Sequence, residues 1–581
     1  MRRAHSMPFG AEFGPQGDAR FRLWAPACER VGLEIEGQGS PVPLTVLSEG
    51  WHEVTTSIAK SGTRYRFVLP DGTRVPDPAS RYQPDDVHGA SELIDPRAWK
   101  WSDAGWRGRR WEEAVIYELH VGAFTPEGTF RAAVSKLDHL ASLGITAIEI
   151  MPVGDFPGKR NWGYDGVLPY APDSSYGRPE DLKALVEAAH ARDLMVLLDV
   201  IYNHFGPDGN YLPVYAPQFF TDRHKTPWGA AINYDGPGSG PVREFAIHNA
   251  LYWIEEFHLD GLRLDAVHAI ADDSPLDILQ ELAGRVQAAS GDRLVHLVLE
   301  NDKNEANRLM RDVDGRPRCF TAQWNDDMHH VLHTAATQES HTYYEQYCGD
   351  THKLGRALAE GFVRARGEPS AHLPPSAFVT FIQNHDQIGN RAMGDRLSSI
   401  TSAAALRAVA AVYLLSPQIP MLFMGEEWNA AQPFPFFCDF GDGLAEAVRE
   451  GRRHEFPEHR GQIPDPQAYE TFASAKLAWE DLSQAAHADW LDWYRRILRV
   501  RREFVEPELP GIGGHAGSFR VIADGAVAVR WRLHQGELTL AANLSDVPVA
   551  GFPGCSGAVH WREGQAGDDG VFGPWSVRWS I

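Results

Sequence analysis

The stretch Gly261-Leu262-Arg263-Leu264-Asp265-Ala266-Val267-His268 carries the pattern from which the fold can be predicted. It is a short apolar run that begins at a glycine and ends in charged residues, which is typical of a buried strand with polar residues at its carboxyl end. Two later apolar runs, residues 297–300 and 381–386, also end in a carboxylate. In a barrel of parallel strands the carboxyl ends meet on one rim, so we expect these carboxylates to lie together.

Short apolar segments alternate with amphipathic segments from about residue 110 to residue 505. The predicted strands are 114–119, 147–151, 195–199, 261–265, 294–300, 321–324, 377–383 and 421–424. The predicted helices are 130–143, 179–191, 243–257, 276–289 and 490–504. This alternation predicts an α/β fold, a (β/α)8 barrel. A doubly wound open sheet is the alternative, which the lack of a Gly-rich phosphate loop after any predicted strand disfavours.

The two ends of the chain show a different pattern. Near the amino terminus Phe21, Leu23 and Ala25 alternate with polar or bulky neighbours, and this period of two predicts an N-terminal β-sandwich. Apolar runs at 518–522, 526–533 and 538–544 predict a small C-terminal β-sandwich. We therefore expect three domains, at residues 1–95, 96–505 and 506–581.

The composition limits the classes of function. The chain has 581 residues, of which 43% are hydrophobic and 23% charged, as in a soluble globular protein. No apolar run approaches the roughly 18 residues that a membrane helix needs, and the formal net charge of -23 argues against a nucleic-acid partner. The five cysteines are scattered and form no CxxC pair, so we expect neither a disulfide framework nor structural zinc, and a cytoplasmic location.

The predicted strand ends carry the groups that glycosidic bond hydrolysis requires. Cleavage of an acetal with retention uses a carboxylate nucleophile and a carboxylic acid on opposite sides of the bond. Asp265 follows Arg263 by two residues, and the guanidinium would keep that carboxylate charged and oriented. Glu300 follows apolar residues, which favours a raised pKa and proton donation. Asp386, beside His385, is placed to bond to sugar hydroxyls. Each acidic strand end alone could be a salt bridge or a helix cap, but several on one rim favour catalysis.

Four segments, residues 199–204, 261–268, 297–300 and 381–386, resemble the four short motifs of the α-amylase superfamily of glycoside hydrolases. The resemblance implies that Asp265 is the nucleophile, Glu300 the acid/base and Asp386 the transition-state stabiliser. It also implies which residues bind the sugar at the reactive carbon, namely Tyr164, His204, Arg263 and His385.

Within that superfamily the loops are most similar to those of the maltooligosyltrehalose trehalohydrolases. The stretches that carry the similarity are 117–130, 226–229 with 232–237, 323–327 and 384–391. The similarity implies hydrolysis of the α-1,4 bond next to the terminal trehalose of maltooligosyltrehalose, with release of trehalose, in a pathway with the synthase that forms this substrate. The leaving side must then accept a glucose joined 1,1 to another glucose, and we expect contributions there from His268, Asn325, Asp326 and Gln387.

Other functions stay open at this point. A glycogen branching enzyme would share the amino-terminal sandwich, and a non-catalytic glycan-binding protein on the same barrel would lack carboxylates or carry a membrane helix. Asn203 lies in a motif whose equivalent binds calcium in many amylases. Because the trehalohydrolase and branching relatives usually dispense with that ion, we expect no metal and no cofactor.

Overall fold

Two antiparallel sheets form the amino-terminal part of the structure, a computed structural model that describes residues 4–226, 229–341, 344–363, 370–459, 462–555 and 557–581. The first sheet contains β1 (Gly10–Phe13), β2 (Ala19–Trp24), β5 (Thr45–Val46) and β6 (Trp51–Thr56), in the order β1-β2-β6-β5. The second contains β3 (Gly32–Ile35), β4 (Val42–Pro43), β7 (Arg64–Val68), β8 (Arg74–Val75) and β9 (Ser91–Glu92). The sheets pack face to face, with the ring centroids of Phe21 and Tyr65 4.7 Å apart, and the predicted sandwich is confirmed.

Eight parallel strands form a closed barrel in which each strand pairs with its neighbours in chain order. These are β10 (Ile116–Leu119), β11 (Ala147–Ile150), β14 (Met195–Val200), β17 (Gly261–Leu264), β18 (His296–Leu299), β19 (Ala322–Trp324), β20 (Phe378–Thr380) and β21 (Ile419–Phe423). Two hairpins interrupt the alternation, β12 (Gly154–Asp155) with β13 (Leu168–Pro172), and β15 (Phe220–Thr226) with β16 (Gly229–Ile232). Since the sheet closes, the barrel prediction is confirmed and the open-sheet alternative is wrong.

A cluster of buried apolar side chains packs inside the barrel. Trp324, Phe381 and Met421 are fully buried members of this cluster. Packing of this kind holds the strands at fixed spacing, and the groups at their carboxyl ends are thereby held at fixed positions.

Helices cover the outside of the barrel. Those between β10 and β17 are α1 (Val121–Phe124), α2 (Phe130–Val134), α3 (Leu137–Leu143), α4 (Pro179–His190), α5 (Leu212–Tyr215) and α6 (Ser239–Glu256). Those after β17 are α7 (Ile278–Ser290), α8 (Asp326–Thr337), α9 (Thr351–Glu360), α10 (His385–Gly389), α11 (Leu397–Ile400), α12 (Ala403–Leu415), α13 (Asp442–Glu455), α14 (Tyr469–Ser474) and α15 (Ala485–Val500). The prediction of a single helix over 130–143 is wrong in one respect, because the structure has two helices there, α2 and α3. The helix breaks at Ser135 and Lys136, whose N–H groups donate to carbonyl groups three residues earlier.

The carboxyl-terminal part consists of antiparallel sheets. Five strands lie in the order β22 (Gly517–Ala523), β23 (Ala526–Arg532), β24 (Glu537–Asn543), β28 (Ser576–Ser580) and β26 (Val559–Glu563). A second sheet contains β25 (Val549–Ala550) and β27 (Val571–Phe572). Phe552 and Phe572 pack with Ala526 and Ala541 between the two layers.

Both flanking parts are joined to the barrel by buried polar contacts. The Arg81 guanidinium pairs with the Glu256 carboxylate of α6 at 3.1 Å, with both side chains buried. On the other side, the indole N–H of Trp579 donates to the Ala411 carbonyl at 2.9 Å. Within the described part of the chain, none of the helices is both long enough and apolar enough to span a bilayer.

Candidate active site

The three predicted catalytic carboxylates lie on the same rim of the barrel. Asp265 directly follows β17, Glu300 directly follows β18, and Asp386 lies in the first turn of α10, after β20. The parallel ladder extends one residue past the first two strands, because the N–H of Asp265 donates to Val200 and that of Glu300 donates to Leu264, each at 3.0 Å. The backbone of the sheet therefore fixes the starting points of both side chains.

Arg263 lies buried beneath the rim and contacts the carboxylates with its guanidinium. Its Nη1 donates to Asp265 Oδ1 and to Asp199 Oδ2, both at 2.7 Å, and its Nη2 lies 3.9 Å from Glu300 Oε2. The guanidinium carbon is 4.1 Å from the centroid of the Trp324 ring, which supports the cation with an aromatic face. The hydrogen bond from Arg263 orients the Asp265 side chain.

Glu300 has the environment of a carboxylic acid that binds its proton more tightly than usual. Burial raises the pKa of Glu300 well above its ordinary value. The Arg263 cation lowers this pKa, whereas the negative charge of Asp265 raises it further. The backbone N–H of Ala266 donates to Glu300 Oε2 at 2.6 Å. Ala266 has a left-handed φ of 41°, which is uncommon for a residue other than glycine and marks local strain next to the candidate nucleophile.

A second group of acidic and amide side chains faces the same rim. Asp386 is exposed, and its Oδ1 accepts from Asn390 Nδ2 at 2.7 Å. Asp326 begins α8, and its Oδ1 lies 3.4 Å from Gln387 Nε2. Burial raises the pKa of Asp326 to about 7, with a further contribution from the charge of Asp386. The structure thus brings Asp326, Asp386 and Gln387 together around Glu300, whose pKa both aspartates raise.

Tyr164 and His385 form a stacked pair above Asp199. Their ring centroids are 5.1 Å apart, and Tyr164 Oη lies 2.8 Å from His385 Nε2 and 2.6 Å from Asp199 Oδ2. Burial raises the pKa of Asp199 to about 6, although the Arg263 cation lowers it. All four residues belong to one hydrogen-bonded network with Asp265.

His204 and His268 lie at the edges of this network. His204 Nε2 is 2.9 Å from the backbone oxygen of Tyr164, so this ring holds the tyrosine loop. His268 Nδ1 accepts from the backbone N–H of Asp302 at 3.3 Å and lies 4.0 Å from Glu300 Oε1. Burial lowers the pKa of His268, which favours the neutral imidazole. Both rings are half-buried and partly accessible.

Asn325, a predicted substrate-binding residue, does not reach the surface of the rim. Its side chain is fully buried, and its Oδ1 accepts from the Met328 N–H as the cap of α8. Its Nδ2 donates to Gln418 Oε1 at 3.1 Å. Because the oxygen and the nitrogen of its side-chain amide both form hydrogen bonds within the protein, Asn325 has the contacts of a residue that stabilises the start of α8. We therefore leave Asn325 out of the proposed binding site.

Two functional candidates were not selected from the sequence. Trp324 lies under the Arg263 guanidinium, and Glu118 of β10 contacts His385. Both belong to stretches of the sequence that are similar to the trehalohydrolases, 117–130 and 323–327, and this similarity is the sequence feature that could have identified them. The strand-end rule could not select Trp324 or Glu118, because it looks for polar groups after a strand and both lie within one.

A cluster of potential metal ligands lies in the segments that follow β14 and β17. Within the described ranges, one group of three His, Cys, Asp or Glu residues could surround a cation, and it contains His224, Asp235 and Asp273. Arg223 already pairs with both carboxylates, at 3.4 and 3.0 Å. The Asn203 Oδ1, in the motif linked to calcium, lies 3.1 Å from a ring nitrogen of its neighbour His204. Pro227 and Trp228, part of a stretch used in the sequence comparison, lie outside the described residues.

Comparison with known proteins agrees with the geometry of the rim. The model of the alpha amylase catalytic domain matches residues 86–216, and that of a domain of unknown function (DUF3459) matches residues 514–579. A malto-oligosyltrehalose trehalohydrolase from Saccharolobus solfataricus is 42% identical over 512 residues, covering 86% of this chain and 87% of the relative. The chain belongs to the malto-oligosyltrehalose trehalohydrolase family.

The trehalohydrolase family assignment is supported at the level of the whole fold. A crystal structure from Salmonella typhimurium, described as that of an alpha amylase, is 45% identical, superposes with a TM-score of 0.95 and covers 99% of both chains. By contrast, a 1,4-alpha-glucan branching enzyme from Streptomyces avermitilis is 34% identical over only 43% of this chain and 45% of its own length. The trehalohydrolases thus match far more of the chain than this branching enzyme does.

Proposed function

We propose that the chain is a retaining glycoside hydrolase that cleaves the α-1,4-glucosidic bond next to the terminal trehalose of maltooligosyltrehalose. Asp265 attacks the anomeric carbon while Glu300 protonates the departing oxygen, which forms a glycosyl ester on Asp265 and free trehalose. Glu300 then deprotonates a water molecule that cleaves the ester and releases the shortened maltooligosaccharide. Asp386 bonds to hydroxyls of the distorted sugar ring and stabilises the transition state.

The observation that carries this proposal is the contrast between Asp265 and Glu300 around one guanidinium. Asp265 accepts a 2.7 Å hydrogen bond from Arg263, which favours the carboxylate that a nucleophile must be. Glu300 lies farther from the same cation, and burial raises its pKa, which favours the acid that a proton donor must be. A carboxyl group oriented by Arg263 and a second, buried carboxyl group with a raised pKa support retaining chemistry.

The choice of substrate is supported by the relatives and by the remaining groups on the rim. The printed name of the 42% identical relative is that of an enzyme acting on malto-oligosyltrehalose. We assign Tyr164, His204, Arg263 and His385 to the sugar at the reactive carbon. We assign His268, Asp326 and Gln387 to the leaving trehalose, because the first two lie near Glu300, which protonates the leaving oxygen, and Gln387 contacts Asp326.

The proposed substrate has to be made by another enzyme. Its terminal 1,1 bond is absent from ordinary maltooligosaccharides, so a synthase that forms maltooligosyltrehalose must act before this chain in the same pathway. We place both in the cytoplasm, which is consistent with five cysteines that form no CxxC pair.

A product assay tests this function against its two alternatives. The full-length protein is incubated with maltotriosyltrehalose and, separately, with amylose, and the products are separated by anion-exchange chromatography. We expect trehalose and maltotriose from the first substrate, and neither product from the matched Asp265→Asn variant. New α-1,6 branches in amylose without trehalose would instead identify a branching enzyme. Binding of the sugars without any product would identify a non-catalytic glycan-binding protein.

A further inference from the structure

Glu118 is a buried carboxylate that the proposed reaction does not use, and both of its oxygens bond to a single residue. Its Oε2 accepts from the backbone N–H of His385 at 3.0 Å, and its Oε1 lies 2.5 Å from His385 Nδ1. Its own carbonyl accepts from the N–H of Met424, at the end of the last barrel strand. Glu118 is 1% exposed and lies in the first barrel strand, so it holds His385 from the floor of the site.

The hydrogen bonds around His385 can be assigned by counting protons. With Glu118 as a carboxylate, which can only accept, Nδ1 of His385 carries a proton. Tyr164 Oη lies within hydrogen-bond distance of both His385 Nε2 and Asp199 Oδ2, but a phenol has only one proton to donate. If Asp199 is a carboxylate, Tyr164 donates to it and must accept from Nε2, which makes His385 an imidazolium. If Asp199 is protonated, Tyr164 donates to Nε2 and His385 is neutral.

The charged groups around the pair decide between these two arrangements. The Arg263 Nη1 donates to Asp199 Oδ2 at 2.7 Å, which favours the carboxylate. Burial raises the pKa of Asp199 to about 6, so this group is ionised above that pH. Burial and the charge of Arg263 lower the pKa of His385. The charge and the hydrogen bond of Glu118 raise it, as does the charge of Asp386, and these effects are larger, so the pKa of His385 is raised overall. The hydrogen bond from Arg263 to Asp199 and the raised pKa of His385 both favour the first arrangement.

We propose that Glu118 is a positioning residue that fixes the His385 ring and holds it as an imidazolium, with its Nε2–H directed at Tyr164 on the substrate side. Among the described residues, the rings of Trp162 and Trp324 also pack against His385, with centroids 5.5 and 5.9 Å away, and carry no charge that could replace Glu118. Burial lowers the pKa of the nearby His120 to about 4, so that ring is neutral at pH 7. This inference rests on the proposed function only where it concerns activity, since the protonation of His385 can be measured without substrate.

The neighbouring strand offers a matched control in Glu149. This residue pairs in register with Glu118, is equally buried, and has no hydrogen-bond partner for either carboxylate oxygen among the described residues. Burial raises the pKa of Glu149 well above its ordinary value, which favours the uncharged acid. Glutamine would imitate that acid, whereas glutamine in place of Glu118 would remove a charge.

The test is a ¹⁵N-histidine titration of the full-length protein, in which the His385→Asn variant identifies the His385 signal. We expect both ring nitrogens of His385 to be protonated at pH 7 in the wild type and in Glu149→Gln. In Glu118→Gln we expect the pKa of His385 to fall by at least one pH unit. A neutral ring in the wild type, or an unchanged titration in Glu118→Gln, would overturn the proposal, and the wild-type spectrum decides even if that variant does not fold.

The pH profile of trehalose release separates positioning from a general loss of structure. We expect kcat/KM of Glu118→Gln to be about 10- to 100-fold lower than that of the wild type at pH 7, with the deficit narrowing as acid restores the imidazolium. Glu149→Gln should follow the wild-type profile. A deficit that is constant with pH would contradict the assignment. If the wild type releases no trehalose, the proposed function fails while the ¹⁵N result still decides the role of Glu118.

Discussion

The backbone N–H of Ala266 donates to the Glu300 carboxylate across 2.6 Å. Ala266 directly follows Asp265, so this bond ties the proposed acid to the loop that carries the proposed nucleophile. The donor favours the charged form of Glu300, whereas burial disfavours it, and burial prevails because the pKa is raised. The strained residue Ala266 thus links the two groups, because it follows Asp265 in the chain and its backbone N–H holds the Glu300 side chain.

Replacement of Glu300 with glutamine should separate proton donation from binding. Glutamine keeps an acceptor for the Ala266 N–H but cannot protonate a leaving sugar. We expect kcat/KM for maltotriosyltrehalose to fall about 10²- to 10⁴-fold. Fluoride leaves without a proton, so the first turnover of α-maltosyl fluoride should be nearly unchanged, as measured by a burst of fluoride release. An equal loss on both substrates would argue against Glu300 as the acid.

The raised pKa of Asp326 should make protein stability depend on pH. An aspartate titrates near pH 4 in an unfolded chain, and at about 7 in this folded protein. The folded state therefore binds this proton more tightly, and the resulting stabilisation is complete below pH 4 and lost as the pH rises through about 7. Asn cannot ionise, so the free energy of unfolding of Asp326→Asn relative to the wild type should increase from pH 5 to pH 8, by on the order of 1–3 kcal/mol.

Chemical denaturation at the two pH values measures this difference. The exposed Asp222 provides a control, since Asp222→Asn should change stability by about the same small amount at pH 5 and pH 8. If the stability gap between Asp326→Asn and the wild type does not change with pH, Asp326 ionises normally in the folded protein.

Asn325 and Gln387 should respond to alanine substitution in opposite ways. Asn325→Ala removes a buried helix cap and should lower the free energy of unfolding by about 1–3 kcal/mol, with KM unchanged. Gln387→Ala removes a partly accessible amide and should raise KM about 2- to 10-fold with little change in melting temperature. Thermal melting and initial rates of trehalose release measure both quantities. A raised KM with an unchanged melting temperature in Asn325→Ala would indicate that Asn325 binds the substrate.

The sequence predicted the fold and the rim of carboxylates well because both depend on local patterns. Asp265 and Glu300 each follow a short apolar run, and the parallel arrangement of the barrel strands places the residues after such runs on one rim. The helix predicted over 130–143 shows the limit of periodicity, since its apolar pattern continues through the break at Ser135. The domain boundaries at residues 95 and 505 stay predictions, which limited proteolysis of the full chain would test.

The features that sequence could not predict depend on contacts between distant segments. Glu118 and His385 are 267 residues apart, and no spacing or periodicity links them. Asn325 follows a strand, as the functional residues do, but it caps the next helix and is buried there, and only the packing of α8 distinguishes these two outcomes.

The central claim, that the reaction passes through a glycosyl ester on Asp265, can be tested by trapping that ester. In Glu300→Gln, α-maltosyl fluoride can glycosylate the nucleophile without an acid, but water then lacks a base to remove the sugar. Rapid acid quenching, peptic digestion and mass spectrometry locate the adduct. We predict a maltosyl increment on the peptide that contains Asp265, and none in the Glu300→Gln/Asp265→Asn double variant. An adduct on another carboxylate, or the same adduct in the double variant, would contradict this account.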